Sequence, residues 1–224
     1  MSRMCATASA FDWTTWLAPS FPASSRARSW LEHDLQLDRD RVPADNPLLC
    51  CWTATTAALY LGWRDEARGR ELLECLPLSV VHALPRDQWW LLLLANLGWA
   101  AARLRDAERA STLLELLRPY AAQAVLCGGA VFFWGATTHW LGVLATTTET
   151  FDEAESHLRD ALARHQHVGA RPWTARTQGE LARLLRKRHR PGDRDEAAEL
   201  VGQARETAEG LNMRTLAADL STLE

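Results

Sequence analysis

The stretch Trp140-Leu141-Gly142, followed by Phe151-Asp152-Glu153-Ala154, decides how this chain folds, because its second phrase returns along the sequence in close variants. The variants are Gly62-Trp63-Arg64-Asp65-Glu66-Ala67, Arg105-Asp106-Ala107-Glu108-Arg109-Ala110 and Arg194-Asp195-Glu196-Ala197. Measured on the small residue that closes each phrase (Ala67, Ala110, Ala154, Ala197), the spacings are 43, 44 and 43. A fixed period of this size signals stacked supersecondary units, each burying its apolar face on its neighbours. Each unit reads as two antiparallel helices. The Asp opens the second helix, where a carboxylate caps free N–H groups and complements the dipole. The Ala lies where the two helices cross closely. A small residue twelve positions earlier, Gly98 before Ala110 and Gly142 before Ala154, marks the facing helix.

Working outward, residues 1–25 read as an irregular segment and 26–224 as one helical-repeat domain. A helix at about 26–37 precedes four units at about 48–76, 87–118, 131–167 and 172–209, and a terminal cap at 212–222. Gly62 and Gly210 are helix stops, and Pro172 sits just inside a helix start. No stretch sustains period-2 alternation, so essentially no sheet is expected. The expected fold is all-α, an α-solenoid of about four helical hairpins with a C-terminal capping helix.

With 25 basic and 28 acidic residues the net charge is −3, which gives no global field for nucleic acid. The five cysteines fit no C-x-x-C pattern and read as reduced thiols of a cytoplasmic protein. The Arg- and Ala-rich composition suggests a bacterial source. Pro119 to Thr148 lacks Asp, Glu, Lys and Arg and is long enough to span a bilayer. Its glycines, His139 and threonine clusters, and its place inside the repeat register, favour a loop and a buried helix instead.

The units resemble tetratricopeptide repeats. In the third unit Leu141, Gly142, Ala154, Leu158 and Ala161 carry the likeness, although Ala101 and Ala145 stand where that family places an aromatic. The period is also about ten residues longer than the usual 34. A narrower resemblance runs over roughly residues 80–218, about 60% of the chain. Leu84-Pro85-Arg86-Asp87, Gly169-Ala170-Arg171-Pro172-Trp173-Thr174-Ala175-Arg176-Thr177, Pro191-Gly192-Asp193-Arg194-Asp195-Glu196-Ala197 and Gly210-Leu211-Asn212-Met213-Arg214 are similar to the C-terminal segment of LuxR-type transcriptional activators and AAA-associated adenylate/guanylate cyclases. No G-x-x-x-x-G-K-[ST] loop is present, so no nucleotide hydrolysis is implied. No helix-turn-helix segment follows the repeats. The resemblance implies a sensor or scaffold part.

In tetratricopeptide repeats the first helix of each pair lines a concave surface. That resemblance assigns Trp52, Thr56 and Tyr60 in the first unit, Trp99 and Arg103 in the second, His139, Val143 and Thr146 in the third, and Arg176, Arg183 and Arg186 in the fourth. Such a surface suits an anionic or aromatic guest. The eleven tryptophans otherwise read as packing. His165 and His167 point to different helix faces, no H-x-x-x-H exists, and no metal or cofactor is expected. Cys127 with His139 could act as a nucleophilic pair, but both lie in an apolar segment with no third orienting group. The basic run Arg183, Arg186, Lys187, Arg188, His189 and Arg190 reads as a solvated helix end rather than a nucleic-acid contact.

The expected function is a non-enzymatic, regulatory interaction or ligand-sensing module, taking a protein, peptide or small effector on its concave face or pairing as a homodimer. The alternative is a small biosynthetic enzyme or small-molecule-binding protein whose aromatic core (Trp90, Trp99, Phe132, Trp134, Trp140) has opened into a pocket. A third reading, a truncated regulator remnant, would expose an apolar patch around Phe11, Trp13, Trp16 and Trp30.

Overall fold

A computed structural model describes residues 43–127 and 132–223. The readings for residues 1–25, for the helix at 26–37 and for the patch at Phe11, Trp13, Trp16 and Trp30 lie outside the described residues. The helices are α1 (Pro47–Gly62), α2 (Glu66–Glu74), α3 (Leu78–Ala83), α4 (Trp90–Leu104), α5 (Ala107–Leu117), α6 (Thr137–Thr147), α7 (Phe151–His167), α8 (Arg171–Arg188), α9 (Asp193–Gly210) and α10 (Arg214–Ser221). They form four hairpins, α1/α2, α4/α5, α6/α7 and α8/α9, with α10 as the cap, so the chain is an all-α solenoid.

Among the described residues one turn is used five times. Arg64, Arg105, Glu149, Gly169 and Asn212 each take a left-handed φ, between 55° and 67°. The next residue's N–H then reaches back into the preceding helix: Asp65 to Tyr60 O and Asp106 to Ala101 O at 2.9 Å, Thr150 to Ala145 O at 3.0 Å, Ala170 to His165 O at 2.9 Å, and Met213 to Ala208 O at 2.7 Å. This is the Schellman closure, and its last residue doubles as the start of the next helix. Asp65 and Asp106 do cap, accepting from Arg68 N at 3.3 Å and Arg109 N at 3.0 Å. Asp152 and Asp195 lie inside their helices and do not, and Asp152 holds Arg190 at 2.6 Å instead.

Ala110, Ala154 and Ala197 are fully buried where paired helices cross. Ala67 is exposed, and the equivalent place in the first unit is Gly69. A Cβ on Gly69 would meet the Leu61 side chain at 2.6 Å. Four residues separate Asp65 from Gly69, as they separate Asp106 from Ala110, so the first step of the repeat is 41 rather than 43. Gly142 has the same role as Gly69: a Cβ there would run into Leu158 and stand 3.2 Å from Ala154 O.

The expectation of no sheet is corrected. β1 (Ala124–Cys127) and β2 (Phe132–Ala136) pair antiparallel, Leu126 opposite Phe133 and Cys127 opposite Phe132. A bulge falls between Ala124 and Leu126, and Gly135 on the facing strand has φ 90°. Every residue here is apolar, so alternation was invisible; the aromatic run after Gly128-Gly129 was the hairpin signal. Helix α6 therefore begins at Thr137 and not near 131. Among the described residues no helix is long and apolar enough to cross a membrane.

Candidate functional site

The first helices of the four units, α1, α4, α6 and α8, face one side. Helix α6 packs closely on α4 and on α7 but touches α8 at few places, so the row opens between the third and fourth units. Large rings fill that gap. Trp140 of α6 and Trp173 of α8 meet edge to face with centroids 5.7 Å apart, and Trp134 of β2 meets Trp173 at 6.1 Å. His139 lies 4.9 Å from Trp140 and 5.4 Å from Trp173.

Strand β2 holds these rings in place. The Trp140 indole N–H donates to Trp134 O at 3.0 Å, and the Trp173 indole N–H donates to Phe133 O at 3.1 Å. The Ala136 N–H donates to His165 Nε2 of α7 at 2.8 Å. The short hairpin thus ties α6, α7 and α8 together with its main chain, and satisfies strand groups that a second partner strand would otherwise claim. A Cβ on Gly135 would stand 2.8 Å from the Trp173 ring, so a glycine is needed there both for its φ and for the contact.

Beneath the rings a hydroxyl is shared by two buried histidines. Thr177 Oγ1 donates to Trp173 O at 2.8 Å. Its proton is then spent, so the His139 Nδ1 at 2.9 Å and the His165 Nδ1 at 3.0 Å must both be donors to it. His165 Nε2 already accepts from Ala136, which fixes the same tautomer independently. The His165 ring is therefore neutral. Burial holds His165 down at about 4 and is the main cause that holds His139 well below the usual histidine value, so His139 is neutral as well; the nearby Arg176 guanidinium opposes a charge on His139 further. His139 also lines the adjoining cavity, and with Nδ1 engaged by Thr177 its remaining nitrogen, Nε2, is a lone-pair acceptor.

Above this floor lies a cavity of about 610 Å³. Its walls carry Trp63, Trp99, Trp134, Trp140 and Trp173. They also carry Arg64, Arg103, Arg105, Arg176 and Arg183 against three carboxylates, Glu66, Glu180 and Asp219. The site is thus cationic in a protein whose net charge is −3. Helix α10 contributes Leu216, Asp219 and Leu220 to the wall. Two arginines lie over tryptophan rings: Arg103 at 5.5 Å from Trp99 and Arg176 at 5.7 Å from Trp173. Burial pulls the Arg176 guanidinium down to about 10, against the opposing pull of Asp219 and Glu180. Arg183 pairs with Glu180 at 2.6 Å.

Of the residues assigned from sequence, Trp99, Arg103, His139, Val143, Arg176 and Arg183 line this cavity together. Trp52, Thr56, Tyr60, Thr146 and Arg186 do not. Thr56 and Tyr60 are buried on the core side of α1, the Thr56 hydroxyl donating to Trp52 O at 2.8 Å, and Trp52 packs partly buried against the core. The Thr146 hydroxyl is held by Gly142 O at 2.8 Å. The 41-residue step explains the first unit: it puts Ala58 opposite Trp99 and Gly62 opposite Arg103, and both Ala58 and Gly62 line the wall. Their small size leaves the space that the larger residues of the second unit enclose. Sequence reasoning did not single out Trp63, Thr177 or the α10 residues. The left-handed turn, with its Asp after an Arg, was the signal that would have set the register.

The basic run at the end of α8 is largely neutralised. Lys187 pairs with Glu149 at 3.1 Å, Arg190 with Asp152 at 2.6 Å, and Arg188 with Asp193 at 2.7 Å and Glu155 at 2.5 Å. Cys127 is no activated nucleophile, since burial pushes its thiol up, and the His139 Nδ1 is engaged by Thr177. Among the described residues no group of three or more His, Cys, Asp or Glu could hold a metal ion.

Curated proteins and solved structures gave no match to this chain. Residues 135–210, the third and fourth hairpins with the last two residues of β2, match the tetratricopeptide repeat family, and the fold as a whole is a tetratricopeptide-like helical solenoid.

Proposed function

We propose that this protein is a non-enzymatic scaffold or sensing module that takes a partner or small effector in the concave cavity between α4, α6, α8 and α10. The observation that carries this reading is the concentration of five tryptophans and an excess of arginine on one concave wall of an otherwise weakly acidic protein. Tetratricopeptide repeats in general present such a face to partners. The similarity to LuxR-type activators and AAA-associated cyclases suggests a regulatory setting, and the reduced cysteines Cys50, Cys51, Cys75 and Cys127 suit a cytoplasmic one.

A small-molecule-binding protein or enzyme is the second reading. The cavity volume of about 610 Å³ and the buried His139 in its wall favour it, whereas the engaged Nδ1 and the raised Cys127 thiol disfavour covalent catalysis. Light scattering and native mass spectrometry of the protein from its own host test the first reading. A bound species is expected that is lost from Arg103→Glu and retained by Arg70→Glu, an exposed position on the outer helix α2. Equal retention by both variants would move the binding surface off the concave face.

A further inference from the structure

We infer that the cavity's guest is a planar aromatic anion that also carries a hydroxyl or N–H donor. This rests on the concave-face reading above and gives it a ligand class. Three features of the wall converge on that chemistry. The first is charge. Arg103 and Arg176 hold their guanidinium groups over the faces of Trp99 and Trp173, so each presents N–H donors beside an aromatic plane. An anion attached directly to a ring can pair with the exposed Arg103 guanidinium while the ring lies against the tryptophans of the same wall. The three wall carboxylates leave an excess of positive charge, and Arg183 with Glu180 already forms a pair at 2.6 Å.

The second feature is shape. At about 610 Å³ the space falls within the usual range of small-molecule sites, about 300–1,000 Å³. It is lined by rings that pack edge to face and by residues of α10. An extended peptide would need side-chain amides at regular spacing along an open channel. Among the described residues the wall carries a single asparagine, Asn96, and one of its two amide N–H groups is committed to Thr55 Oγ1 at 2.9 Å.

The third feature is the acceptor. His139 is 3% exposed, and its Nδ1–H is committed to Thr177. A neutral imidazole so held offers only the Nε2 lone pair, which an anionic oxygen avoids and a donor satisfies. A guest made only of charge and rings would leave that nitrogen without a donor.

The test is isothermal titration of the full-length protein with 6-hydroxy-2-naphthoate, compared with 2-naphthol, which lacks the charge, and 6-methoxy-2-naphthoate, which lacks the donor. Saturable binding is expected, weakened about tenfold or more for each comparison compound. Arg103→Gln and Trp99→Leu should each weaken it about tenfold, while Arg70→Gln leaves it unchanged. Arg103 and Arg70 are exposed, so those variants keep the fold in place. Binding of 2-naphthol as tight as the hydroxynaphthoate, or indifference to Arg103→Gln and Trp99→Leu, overturns the inference. No heat from the naphthoate, combined with a host species still lost from Arg103→Glu in native mass spectrometry, overturns the ligand class and leaves the concave-face reading standing. Silence in both overturns both.

Discussion

Replacing Thr177 by Val is nearly isosteric, and in an ordinary apolar core it would be tolerated better than Ser. Here the order should reverse. The hydroxyl is the acceptor for two buried Nδ1–H groups, at 2.9 and 3.0 Å. His139 can escape by moving its proton to Nε2. His165 cannot, because its Nε2 accepts the Ala136 N–H at 2.8 Å. Val therefore leaves at least one buried donor without an acceptor, about 1–3 kcal/mol, and removes a second hydrogen bond worth about 1 kcal/mol. A loss of roughly 2–4 kcal/mol follows. Thr177→Ser keeps the oxygen and removes one methyl, about 1 kcal/mol. Urea unfolding at pH 7.5, followed by tryptophan fluorescence, gives both midpoints. Nitrogen-15 spectra of the imidazoles should show protons on both Nδ1 atoms in the parent and a changed His139 tautomer in the Val variant. A Val variant as stable as the Ser variant would refute the shared-acceptor assignment.

The same two rings make the protein acid-sensitive in a defined window. The folded state holds His165 at about 4, whereas an unfolded histidine titrates near 6.5, so the unfolded chain takes up the proton first. Stability should be flat above about pH 7.5 and fall from 6.5 towards 4, by about 3 kcal/mol from His165 and more in the same direction from His139. Asp193, held at about 2 by Arg188, contributes only below about 4, so urea midpoints unchanged between pH 7 and 5 would sink the histidine account. Gly142→Ala should cost about 1–3 kcal/mol, because its Cβ meets Leu158 and the Ala154 carbonyl. Gly98→Ala should be neutral or stabilising, since its Cβ would stand 3.4 Å from Leu144. Thermal melts of that pair decide whether the two Leu-Gly sites are equivalent in packing or only in register. Arg188→Met should destabilise by roughly 2 kcal/mol, because it leaves the Asp193 carboxylate, whose side chain is only 6% exposed, without its countercharge and with the Arg190 N–H at 2.7 Å as its remaining donor. An unchanged melting temperature would count against the bidentate pair.

The architecture was legible wherever steric demand fell on one residue. Ala110, Ala154 and Gly142 sit at helix crossings that tolerate no more than a methyl or less, and such positions leave a visible period. In the first unit Glu66-Ala67-Arg68-Gly69 offers two small residues two apart, and composition cannot say which meets the facing helix; the cap at Asp65 decides it. The two-residue error in the repeat, together with a Leu-Gly pair at Leu61-Gly62 that sits later in its helix than the others, turned Thr56 and Tyr60 onto the wrong face. The ring and arginine positions of the second to fourth units were readable because large residues stand there. Ala58 and Gly62 were not, since a cavity is made by what is missing. Thr177 was beyond reach from one sequence. Its importance comes from a proton count across α6, α7 and α8, joined at β2.

A repeat protein in which each unit touches only its neighbours should unravel from its ends in small steps. The β2 strand denies that freedom to part of the chain. Its carbonyls and one amide clamp the second-last hairpin to the last, so opening either α6 or α8 alone breaks indole and imidazole hydrogen bonds at once. Native-state hydrogen exchange should therefore show the amides of residues 137–210 opening as one cooperative block, with α1 and α2 exchanging separately at lower free energy. The strand, five residues long, converts two repeats into a single folding unit, and the cavity floor lies within that unit.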